Sequence, residues 1–94
     1  MSRILVIEDE SAIRRVLTKI LSEENDAYKV FEAEDGLKGL EVLKKEDFDL
    51  VLCDIKMPKM DGVEVLEAAR HLKTEIPFIM ISGHGDLDTA VSTM

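Results

Sequence analysis

The sequence predicts an α/β fold, a parallel sheet with helices on both faces. Short apolar runs of strand length alternate along the chain with stretches whose apolar residues recur at helical spacing. Two of the runs, Asp49–Cys53 and Phe78–Ser82, have almost no polar interruption, as strands buried on both faces do. Regular β-then-α order with right-handed crossovers is what builds a parallel sheet.

The first run, Arg3–Ile7, is continuously apolar after its arginine and ends in Glu8, Asp9 and Glu10. Ile13, Val16, Leu17, Ile20 and Leu21 then fall at i, i+3, i+4, i+7, i+8, one face of a helix, with Ser11 as its expected cap. Tyr28–Ala33 is a shorter, more polar strand, suited to the outside of a sheet. Asp35 and Gly36 make a turn before the helix marked by Leu37, Leu40 and Leu43. Asp49–Cys53 is the third strand, and the loop "PKMDG" leads to a helix carrying Val65, Leu66, Ala69 and Leu72. In that loop Pro58 and Gly62 shape the turn, Gly62 by a positive φ. Pro77 opens the fourth strand, Phe78–Ser82. Gly83 and Gly85 break the chain, and Leu87, Ala90, Val91 and Met94 return to helical spacing.

Ninety-four residues make one small domain, which buries only about 60–65% of its unfolded surface. The hydrophobic share of 46% includes little that is aromatic, so the core is aliphatic. A formal charge of −8 argues against direct nucleic-acid binding, which needs a basic patch. No apolar run reaches about 18 residues, the length that spans a membrane, and the N-terminus lacks the pattern of a signal peptide. A single Cys53 suits a reducing compartment and hence the cytoplasm. It belongs to the core, as His71 and His84 belong to the surface.

In open parallel sheets ligands bind beyond the carboxyl ends of the strands. Here the first strand ends at Glu8 and Asp9, the third at Asp54 and the fourth at Ser82. If the first and third strands are neighbours, three carboxylates converge, and a proton or a cation must relieve their repulsion. Oxygen ligands without His or Cys select a hard cation, Mg²⁺. Such an ion, bridging an acid and an incoming phosphoryl group, leaves Asp54 as a nucleophile able to form an acyl phosphate.

The segments "ILVIEDES", "AEDGLKGLEVL", "DLVLCDIKMPKMDGVEVL" and "PFIMISGHGDLDTAV" together resemble the receiver domain of bacterial two-component response regulators, in order and over the whole chain. The resemblance implies a flavodoxin-like, doubly wound sheet of strand order 2-1-3-4 within residues 1–94. It implies that Asp54 takes a phosphoryl group from a sensor histidine kinase. Asp9 would bind Mg²⁺ directly and Glu8 through a water, while the backbone carbonyl of Lys56 completes the metal site. Ser82 would hydrogen-bond the phosphoryl oxygen. Arg14, Arg15 and Thr18 on the first helix are the expected surface for kinase choice. "SGHGDLDTAV" is most similar to receivers fused to sigma-54-dependent transcriptional activators, so the implied partners are a kinase and an output domain.

Complete receivers continue through a fifth strand and helix, and the lysine that ends that strand has no counterpart here. The chain is therefore expected to be a C-terminally truncated receiver, impaired in phosphoryl transfer. Its fourth strand would be an open apolar edge that invites self-association. Its role is regulatory, not enzymatic. The alternatives are a Mg²⁺-dependent aspartyl-phosphate phosphohydrolase and a degenerate receiver that binds partners without phosphate. The first usually carries its two acids two residues apart after the first strand, whereas Asp54 has Lys56 at that spacing.

Overall fold

The computed structural model describes residues 2–72 and 75–81 in full, and residues 89–92 as backbone. Five strands, β1 (Ser2–Ile7), β2 (Tyr28–Ala33), β3 (Leu50–Asp54), β4 (Phe78–Ile81) and β5 (Thr89–Ser92), form one sheet. Three helices, α1 (Ser11–Glu24), α2 (Gly36–Lys45) and α3 (Gly62–Leu72), connect the first four. The strand order is β2-β1-β3-β4-β5, so β1 to β4 stand in the expected 2-1-3-4 arrangement. Their three pairings are parallel.

Strand alternation sorts the apolar side chains into two layers. Leu5, Ile7, Val51, Cys53, Phe78 and Met80 point to one face, where Leu40 and Leu43 of α2 and Val65 and Ala69 of α3 close the larger core. Ile4, Val6 and Leu52 point to the other, against Leu17 and Leu21 of α1. Arg3 lies over the rings of Phe31 and Phe48, 4.6 and 5.4 Å from their centroids. It also donates to the Asp47 carbonyl, tying the start of β1 to the loop before β3.

Several expectations change. Ser11 is the first residue of α1 and not its cap; Glu10 holds that place in extended conformation, without a side-chain bond. On the predicted apolar face of α1, Val16 and Ile20 are 56% and 57% exposed, because the helix leans over β1 and β2 with Leu17 and Leu21 turned onto the sheet. Asp35 caps α2, its Oδ1 accepting the Lys38 N–H at 2.8 Å. The left-handed residue of the "PKMDG" loop is Lys59, at φ 71°, and not Gly62.

The largest correction concerns the segment expected to be a helix after β4. Its described part, Thr89–Ser92, is a strand lying antiparallel to β4, with Met80 opposite Ala90; Leu87 and Met94 lie outside the described residues. The physical reason is the edge itself. Among the described residues one side of β4 has no other partner, and its unsatisfied backbone groups outweigh the marginal stability of a short helix, while β-branched Thr89 and Val91 suit a strand. The open edge on which self-association was expected to rest is thus paired within the chain.

Candidate phosphoacceptor site

Register brings the acids together. Ile7 stands opposite Cys53 across the β1–β3 ladder, so the residues that follow them, Glu8 and Asp54, emerge side by side. Carboxylate oxygens of Glu8, Asp9 and Asp54 all lie within 4.8 Å of one another. Glu8 and Asp54 are 2% and 3% exposed, while Asp9 keeps the group open to solvent.

Two charged acids this deep require compensation. Glu8 Oε2 accepts the Glu10 N–H at 3.1 Å, and Asp54 Oδ1 accepts the Lys56 N–H at 3.3 Å. No lysine or arginine is ion-paired with any of the three among the described residues. Burial above all pushes the Glu8 carboxyl up to about 7; the Glu10 N–H opposes this, and Asp9 and Asp54 add to it. Such a site holds either a proton or a cation. The residues fit a hard divalent ion: an oxygen-only donor set, a partly open mouth and a carboxylate lacking a cationic partner. The Lys56 backbone sits at this mouth, two residues past Asp54. Ser82, Gly83, His84 and Gly85 lie outside the described residues.

The loop that carries Asp54 is clamped from behind. Gly62 N–H donates to the Ile55 carbonyl at 2.7 Å, and a Cβ at Gly62 would stand 2.3 Å from the Asp54 carbonyl oxygen. Gly62 therefore serves close approach of α3 to the strand end. Asp61 Oδ1 accepts the Glu64 N–H, and Glu64 Oε1 accepts the Asp61 N–H, a reciprocal capping box that starts α3 there. Neither the contact at Gly62 nor the conformation of Lys59 has a signal in residue spacing.

Cys53 is fully buried, and its thiol is pushed up to about 12, by burial first and then by the charges of Asp54, Glu8 and Asp61. It is inert core, as expected. His71 lies exposed in the last turn of α3. Of the three residues expected to face a kinase, Arg15 is exposed. Arg14 is drawn inward, donating to the Glu8 carbonyl and to Glu32, and the Thr18 hydroxyl is buried. No helix among the described residues is long and apolar enough to cross a membrane.

Comparison with known proteins agrees with this geometry. The family model for the response regulator receiver domain matches residues 4–94. The chain is 37% identical over 86 residues to sporulation initiation phosphotransferase F of Bacillus subtilis, covering 92% of this chain and 68% of that protein. It is 36% identical over 91 residues to the transcriptional regulatory protein ZraR of Klebsiella oxytoca, covering 97% of this chain and only 20% of that one. The structure of response regulator TrrA from Thermotoga maritima, in complex with Mg²⁺-BeF, superposes with a TM-score of 0.83 at 36% identity, over 90% of this chain and 72% of that one. With the family model spanning nearly its whole length, the chain belongs to the response regulator receiver domains, the phosphoacceptor modules of two-component signalling.

Proposed function

We propose that Asp54 accepts a phosphoryl group from the phosphohistidine of a sensor kinase in a Mg²⁺-dependent reaction, and that the acyl phosphate switches the output of a transcriptional regulator. The observation that carries this reading is the meeting of three carboxylates at the ends of β1 and β3, two of them buried and, among the described residues, none ion-paired with a basic side chain. In the transfer, an Asp54 carboxylate oxygen forms a bond to phosphorus as the phosphorus–nitrogen bond of the donor breaks, and the imidazole leaves with that electron pair.

Asp9, Asp54 and the Lys56 carbonyl would hold the ion, with Glu8 acting through a water. When bound, Mg²⁺ neutralises charge on the acids and the transferring group. The buried backbone of β3 and the clamp at Gly62 keep the Asp54 carboxylate aimed at the mouth of the site. Ser82, the residue after β4, is assigned the hydrogen bond to a phosphoryl oxygen. The function is regulatory and cytoplasmic, without turnover of a substrate. Its partners are the kinase and an output domain, and the sigma-54 activator class is the reading of the segment after β4.

The test is titration with beryllium fluoride and Mg²⁺, followed by amide NMR, of the native chain and Asp54→Asn. Saturable shifts around Glu8, Asp9 and Asp54 that vanish in the variant support the assignment. Equal responses in both would remove it, and turnover of a small phosphate ester would replace it with a hydrolase.

A further inference from the structure

We propose that Arg14 is a positioning residue for the acidic site: from α1 it grips the Glu8–Asp9 peptide and sets the angle at which both acids enter the cluster. The inference rests on the metal-site reading above. β1 ends at Ile7, so the Glu8 carbonyl has passed beyond the ladder that would otherwise pair it. The Glu8 N–H still donates to the Ala33 carbonyl at 3.1 Å, but its own carbonyl is held by Arg14 Nη1 at 2.8 Å. That carbonyl and the Asp9 N–H belong to one planar peptide unit. Fixing one fixes the plane from which the Asp9 side chain departs, and it anchors the Glu8 Cα on the other side.

The guanidinium is itself held. Arg14 Nε donates to Glu32 Oε1 at 3.1 Å, its side chain only 17% exposed, and the Arg14 N–H donates to the Glu10 carbonyl in the first turn of α1. Planar, two-sided donation of this kind is something arginine does and lysine cannot. Glu32 of β2, Arg14 of α1 and the peptide after β1 thus form one line of contacts, and the acid pair stands at its end.

Charge and geometry make opposite forecasts, which decides the test. A cation near the cluster repels a divalent ion, so if Arg14 acted by charge alone its removal would tighten Mg²⁺ binding. Lost positioning of a ligand weakens it, by about 10-fold or more for partners that orient metal ligands. Mg²⁺ affinity is measured by calorimetry on the native chain, Arg14→Met, Arg14→Lys and Glu32→Gln, with Asp54→Asn as reference. Amide exchange at Asp9 is followed separately in EDTA.

We expect about 10-fold weaker binding in Arg14→Met, incomplete rescue by Arg14→Lys, a smaller loss in Glu32→Gln, and faster Asp9 exchange in all three without metal. Unchanged or tighter binding in Arg14→Met overturns the proposal. If that variant does not fold, native affinity and native Asp9 exchange in both Arg14→Lys and Glu32→Gln overturn it instead. Failure of the metal-site reading looks different: the native chain and Asp54→Asn would then bind Mg²⁺ alike.

Discussion

Replacing Glu8 by Gln should make the metal-free protein more stable at alkaline pH and leave it nearly unchanged in acid. The Glu8 carboxyl titrates at about 7 in the fold against an ordinary 4.5, with burial as the first cause. The folded state therefore holds this proton more tightly than the unfolded one. The contribution is fully present below about pH 4.5, fades as pH rises, and is gone above about 7, where the fold carries a buried charge. At 1.36 kcal/mol per pH unit the ceiling is about 3.4 kcal/mol. Because Asp9 leaves the group open to water, screening reduces this to about 2 kcal/mol. Gln keeps the shape and the acceptor for the Glu10 N–H without the charge. Urea unfolding by circular dichroism, in EDTA from pH 5 to 8.5, reads the difference directly. We expect the variant to gain about 2 kcal/mol over the native chain at pH 8 and only about 0.8 kcal/mol at pH 5. A gap that does not change with pH, or a variant less stable at pH 8, would refute the reasoning.

Mg²⁺ should compete with the Glu8 proton, so affinity measured by calorimetry should rise about tenfold per pH unit up to about 7 and then level off. Gly62→Ala should lose about 2–3 kcal/mol in chemical denaturation, since crowding the Asp54 carbonyl outweighs the better helix propensity of Ala. The same variant should shift the Asp54 and Ile55 amides in NMR spectra. Cys53 should resist thiol reagents in the native protein at pH 8 and react at once in urea, because it is buried and its thiol titrates near 12.

Much of this arrangement was legible from residue order. Uninterrupted runs such as "VLC" and "FIMI" can only be strands covered on both faces, and the helical spacing between them leaves a parallel sheet as the consistent assembly. The acid trio was legible too, because Glu8 and Asp9 come straight after the first apolar run and Asp54 closes the third. What stayed hidden depends on contacts between distant segments. Thr89–Ser92 fits a helix as well as a strand by local pattern, and only the free edge of β4 decides between them. Lys59 takes the positive φ ordinarily given to Gly, since Gly62 is committed to admitting the Asp54 carbonyl. Arg14 reads as a surface cation until the Glu8 carbonyl and Glu32 are seen to claim it.

The two layers of the sheet are fastened very differently. α2 and α3 send Leu40, Leu43, Val65 and Ala69 into a sealed interior, whereas α1 has no fully buried residue. Partial unfolding should therefore begin by peeling α1 away, well below the free energy of global denaturation. Since α1 carries Arg14, each such excursion would release the tip of β1 along with it. An occupied metal site would then act as a latch on the whole first helix, slowing deuterium uptake far from the ion itself.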